Sequence, residues 1–273
     1  MTFDRFATVL ADAQLPDGGV GWVSGAPAEP EPTALLALAL DDDRARSWLA
    51  AHQADDGAVV LETGEARNTG AAALNALALP TGPARLAALD FALTALARAV
   101  PEMQQPGEPV GWGWLPDTFA WVEPTSRILL ATRILRPADQ ATIDDALKVL
   151  RAREVTTGGW NYGNSNVLGT DLTPYAQTTA AACIAMHGLD EPVLDRGLDQ
   201  LETLALQERG GLSLAMSAMA LRLNGRTDRP AHQQILAALD EQYDRTAFLG
   251  NLSAVAWAVL ATRPGPSPLE VAP

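Results

Sequence analysis

The sequence predicts an all-α protein, an (α/α)6 toroid of about twelve helices, and three observations carry that prediction. Enclosed apolar segments alternate with amphipathic ones along the chain. A loop, an acidic residue, a proline and an apolar helix recur in the same order. The last helical segment, containing SAVAWAVLA, is too apolar to serve as the polar cap that an open array of helix pairs requires, so the array closes into a ring. The recurring unit is clearest from Gly111 to Leu135, GWGWLPDTFAWVEPTSRILLATRIL, and occurs earlier from Gly19, GVGWVSGAPAEPEPTALLALAL. Alternating Gly and Trp cannot sustain a regular helix. Pro32 and Pro124 suit a first helical turn, where a missing N–H does no harm.

The elements follow in order. Phe3, Phe6, Val9 and Leu10 lie at helical spacing and predict a first helix over residues 2–13. Residues 33–40 are apolar on every side, as an enclosed helix reads, and Asp41 to Asp43 turn the chain and cap a helix reaching His52. A second cycle places a short apolar helix over 68–79, ended by Pro80 and Gly82, and an outer helix over 84–100 with Leu86, Leu89, Leu93 and Leu96 in one stripe. The central helix runs to Leu135. An amphipathic helix over 139–152 follows, then the loop TTGGWNYGNSNVLGTDL, an apolar helix over 173–186 and an amphipathic one over 191–206. Helices over 212–223, 231–242 and 249–261 complete the ring. We expect a single domain over 1–262 and a mobile Pro-rich tail over 263–273, since no polar linker divides the chain.

Composition narrows the function. Of 273 residues, 48% are hydrophobic, enough for a large core, while the formal charge of −14 and pI near 4.5 disfavour nucleic acid as a partner. A single cysteine, Cys183, in the run AAACIAM, excludes an internal disulfide framework and a multi-cysteine zinc site. The N-terminus lacks a secretory pattern and no apolar run approaches the roughly 18 residues of a membrane span, so a soluble cytoplasmic protein is expected. Gly-x-Ser-x-Gly, Gly-x-x-x-x-Gly-Lys and Cys/His pair signatures are absent, and no cofactor is expected.

Gln14, Gln53 and Gln207, each followed shortly by Gly, and the loops GGVGW, GWGW and GGWNY resemble the repeat motif of squalene-hopene cyclases and the related prenyltransferase β-subunits. In that superfamily Gln and Trp tie an outer helix to the loop entering the next inner helix, and the resemblance spans most of the chain. It implies an apolar, isoprenoid-like substrate inside the ring. The cyclases' acid motif, Asp-x-Asp-Asp before Thr-Ala, has its counterpart at Glu29-Pro30-Glu31-Pro32-Thr33-Ala34, so Glu31 matches the proton-donating middle acid; Glu123, before Pro124 and Thr125, takes the same place in the central unit. Both depart from the motif in having proline at the third acidic position. Asp171, in GTDLTPY, sits where a prenyltransferase would hold zinc, but residue 173 is threonine and the last inner helix has no histidine, so no metal is expected.

Glu31, Glu123 and Asp171 each precede an inner helix, and ring closure would bring them to one rim, as catalytic acids or as helix caps. The substrate-facing candidates are Trp112, Trp114, Trp121, Tyr162 and Tyr175, whose rings can line an apolar pocket or stabilise a cation, and Arg127, which can bind an anionic group or pair with Glu123 one turn away. Arg67 is a further cation near a helix start. Trp22 and Trp160 read as filling between helix ends, and His52, His187 and His232 as surface residues. Two functions are thus open: a cyclase or isomerase initiated by a carboxylic acid, or a non-catalytic toroid that binds a hydrophobic ligand or a partner protein.

Overall fold

A computed structural model describes residues 2–60, 69–94, 109, 111–116 and 118–272. Helices α1 (Thr2–Asp12), α2 (Pro30–Leu40), α3 (Asp43–Ala51), α4 (Thr69–Ala78), α5 (Pro83–Thr94) and α6 (Val122–Leu135) are followed by α7 (Gln140–Arg153) and a short hairpin of β1 (Asn166–Val167) and β2 (Thr170–Asp171). Then come α8 (Ala176–Met186), α9 (Pro192–Ala205), α10 (Gly211–Leu223), α11 (Pro230–Thr246) and α12 (Leu252–Thr262). The apolar even-numbered helices pack in succession, α2 on α4, α4 on α6, and so on to α12, which closes on α2 and on α1. The odd-numbered helices form the outer layer. This is the closed toroid that the alternation of enclosed and amphipathic segments predicts: α10 and α12 are buried almost throughout, whereas α9 buries one stripe, Leu194, Leu198 and Leu201.

Loops are fastened to inner helices by one repeated bond. The Val20, Trp112 and Trp160 N–H groups donate to the hydroxyls of Thr33, Thr125 and Thr179 at 3.0, 3.1 and 3.0 Å. A glycine precedes each loop residue, and the need is steric: a Cβ on Gly159, whose φ is +80°, would lie 2.8 Å from the Thr179 hydroxyl. Outer helices are tied in by side chains. Gln14 donates to the Gly18 carbonyl and to Asp42, Gln53 to the carbonyls of Gly57 and Ala84, and the indoles of Trp112 and Trp160 to the carbonyls of Leu93 and Leu150.

Boundaries move where backbone chemistry outweighs apolar pattern. Helix α8 begins after Pro174 rather than at Thr173, since a residue before proline avoids the helical region. Helix α12 begins at Leu252, not Leu249, because Ala247, Phe248 and Leu249 all adopt positive φ. Phe248 repays that conformation by packing on Phe6 and Tyr243, and Asn251 caps the helix through Ala254 N–H. Asn68 and the stretch 95–100, expected to be helical, lie outside the described residues, as does Arg67.

Two expectations change. The C-terminal segment, read as a mobile tail, is docked: Leu269 is fully buried and the Val271 N–H donates to His187 Nε2 at 2.9 Å. His187 and His232, read as surface residues, are buried. Burial, helped by Arg133, pushes the His187 pKa down against the pull of the Ile184 carbonyl; burial likewise lowers that of His232. A depressed base binds fewer protons folded than unfolded, so this stability is complete above the ordinary histidine pKa of 6.5 and is lost as pH falls below it. The melting temperature should therefore drop between about pH 7 and pH 5, and less steeply in His187→Gln, whose amide keeps both hydrogen-bonding roles without titrating.

Candidate functional site

Four inner helices meet at a buried ion cluster, α4 through the Gly70 carbonyl, which accepts from Arg127 at 3.4 Å. Arg127, on α6, donates to both carboxylate oxygens of Glu31 on α2, at 3.0 and 2.8 Å, and to Glu123 Oε1 at 2.8 Å. Gln177, on α8, reaches Glu123 Oε2 at 3.4 Å, and the Trp114 ring stacks 5.0 Å from the guanidinium. The three charged side chains are only 11–13% exposed. Burial draws the Arg127 pKa down, but attraction and hydrogen bonds from Glu31 and Glu123 outweigh it, so the guanidinium is held charged more firmly than usual. Neither glutamate caps its helix by a side-chain hydrogen bond. The first turns of α2 and α6 start earlier than the apolar pattern indicates, so both carboxylates lie inside the turn and turn to Arg127 instead.

Beside this cluster lies a cleft of about 490 Å³. Its aromatic walls are Phe119 with Trp121, edge-to-face at 5.0 Å, and Tyr162 with Tyr175, also 5.0 Å between ring centres. Backbone bonds hold both walls: Tyr162 C=O accepts from Val122 N–H, Trp121 N–H donates to Trp112 C=O, and Tyr175 N–H donates to Trp160 C=O. Val167, Leu172 and Thr173, in and after the hairpin, close one side. Asn161 lines the cleft and is buried. Its Oδ1 accepts from Gly163 N–H at 2.9 Å, which fixes the amide's orientation and leaves Nδ2 a buried donor with no partner among the described residues.

The structure thus brings Glu31, Glu123 and Arg127 into one cluster and Trp121, Tyr162 and Tyr175 into one cleft. Other candidates go elsewhere. Asp171 does not join the rim or cap α8: it lies in the exposed hairpin, bonded to Asn166 Nδ2 at 2.8 Å and Thr156 Oγ1 at 3.1 Å. Trp112 is buried with its indole on the Leu93 carbonyl, a structural tie like Trp160, and Trp114 faces Arg127 rather than the cleft. Asn161, Asn164 and Gln177 escaped the sequence reading; the string Trp-Asn-Tyr-Gly-Asn, with asparagines beside aromatic residues and glycine, was the available signal. Cys183 is buried, and burial pushes its thiol pKa up, which suits a packing residue rather than a nucleophile. Among the described residues no cluster of three potential metal ligands occurs, and no helix is long and apolar enough to cross a membrane.

Comparison of the sequence with protein-family profiles finds no match, and no curated protein matches either. Solved structures do. A protein from Actinoplanes superposes with a TM-score of 0.61 at 16% identity, covering 96% of this chain and 98% of that one. A variant of the type II terpene cyclase MstE from Scytonema, in complex with geranylgeranyl dihydroxybenzoate, superposes with a TM-score of 0.60 at 12% identity over 95% and 96% of the two chains. A reducing end xylose-releasing exo-oligoxylanase gives 0.58 at 12% identity over 98% and 92%. The chain has a terpene cyclase-like toroid fold. Because a glycan-cleaving enzyme shares it, the fold alone does not select a chemistry.

Proposed function

We propose that this toroid binds an apolar, ring-bearing small molecule of isoprenoid type in the aromatic cleft. The observation that carries the proposal is the cleft itself: four aromatic rings and two aliphatic side chains around about 490 Å³, within the size range of small-molecule sites. The unpartnered Asn161 donor adds a requirement, since a buried N–H is costly until a ligand oxygen accepts from it. The ligand accordingly carries a carbonyl, hydroxyl or ether oxygen next to its apolar body. The test is fluorescence titration with a geranylated hydroxybenzoate. Saturable quenching is expected, weakened at least about tenfold in Tyr162→Ala and in Trp121→Ala, as for loss of an aromatic anchor. Binding that ignores both substitutions would refute the site.

The convergence of Glu31 and Glu123 favours a second reading, acid-initiated cyclisation or isomerisation. Against it, both carboxylates are engaged by Arg127, and neither lines the cleft. Incubation with the same compound followed by mass spectrometry separates the two. Unchanged ligand supports binding alone; a product that disappears in Glu123→Gln, with binding retained, would establish Glu123 as the acid.

A further inference from the structure

We infer a second ligand site, for a small organic anion, between outer helix α11 and the C-terminal ends of inner helices α10 and α12. It is independent of the aromatic cleft. A cavity of about 460 Å³ there is lined by Arg222, Arg263, His232 and Thr227 together with the apolar Phe3 and Leu236. His232 is 4% exposed, and neither ring nitrogen has a hydrogen-bond partner among the described residues. The Ala218 carbonyl on α10 approaches the ring as a hydrogen-bond acceptor and pulls its pKa up against burial, but is too poorly aligned to satisfy either nitrogen. An imidazole has one donor and one acceptor, and burying both unmatched is a standing cost that a ligand can relieve.

The charges at this cavity select the ligand's sign. Arg222 donates to the carbonyls of Leu260, Ala261 and Gly265, and Arg263 to that of Leu38. Those acceptors are neutral, and each guanidinium keeps further N–H donors. Neither arginine takes part in an ion pair among the described residues. Glu270 acts on Arg222, and Asp41 on Arg263, only at longer range; the Glu270 carboxylate accepts from Ser267 N–H, and Asp41 pairs with Arg46. Burial lowers the Arg222 pKa, Glu270 opposes it at longer range, and the neighbouring Arg263 lowers it further. Two such cations beside an unsatisfied imidazole, in a chain of net charge −14, form a local reversal of sign that fits a carboxylate or phosphate head, with Phe3 and Leu236 receiving a short apolar body.

Calorimetric titration of the intact protein with benzoate, phenyl phosphate and, as a neutral isostere, benzamide tests this site. Benzoate or phenyl phosphate should bind saturably and benzamide at least about tenfold more weakly. The stronger anion identifies the head group. His232→Leu, which removes both unsatisfied nitrogens and should fold at least as well, and Arg263→Gln should each weaken anion binding by about tenfold or more, while Trp121→Ala leaves it unchanged. Equal binding of benzamide, no saturable binding of either anion, or loss in Trp121→Ala but not in His232→Leu would overturn the inference.

Discussion

Arg127→Met is expected to destabilise the protein by about 3–5 kcal/mol, because it removes the one cation between two buried carboxylates. Glu31 and Glu123 accept from the same nitrogen of Arg127, so without it two negative groups face each other where little water reaches them. Their mutual repulsion adds to the cost of stranding each. In a chain of this size the loss corresponds to a fall in melting temperature of about 6–20 °C. Urea unfolding measures it directly. Replacing all three residues together, as Glu31→Gln, Glu123→Gln and Arg127→Met, should recover most of the loss, since a buried ion cluster is about as stable as a neutral one of the same volume. A loss below about 1 kcal/mol in Arg127→Met would show the cluster to be a solvated surface network instead.

Trp160→Ala is expected to cost a similar amount, about 3–5 kcal/mol, and also to weaken ligand binding. The ring is fully buried and its indole donates to the Leu150 carbonyl at 2.7 Å. It lies so close to Gly197 on α9 that a Cβ there would approach it to 2.4 Å, so the cavity left by its removal spans α7, α8 and α9. The binding effect follows from the backbone. Trp160 N–H is held by Thr179, its carbonyl accepts from Tyr175 N–H, and the chain continues through Asn161 to Tyr162. Loosening it releases one aromatic wall and the Asn161 donor together. Trp160→Phe keeps most of the volume and loses the hydrogen bond, so about 1–3 kcal/mol of stability should go while binding largely persists. If Trp160→Ala unfolded more easily yet bound a geranylated hydroxybenzoate as wild type does, the cleft would not depend on this anchor. Tyr162→Ala, by contrast, should reduce binding with little change in unfolding, because that side chain is half exposed.

The sequence by itself determined the helical layers. The enclosed segments of α8, α10 and α12 have no polar face, so they had to lie inside, and the amphipathic stripe of α9 had to lie outside. It also determined the loop ties, since the recurring Gln, Gly and Trp are short-range signals: Gln14 and Gln53 bond within their own loop–helix units, and Trp112 and Trp160 reach the outer helix just before them. Arg127 and Glu123, one turn apart, were legible as a pair for the same reason. Only the tertiary structure brought Glu31 to that pair, across 96 positions of sequence, and left Asp171 in a hairpin instead. A carboxylate before an inner helix reads the same in all three places. Which one meets a cation depends on where the first helical turn begins and on which neighbour the closed ring supplies. The same holds for His232, whose sequence neighbourhood is polar and exposed; it is buried because α11 packs on α10, with the last turn of α12 beside it, a contact that no local pattern encodes.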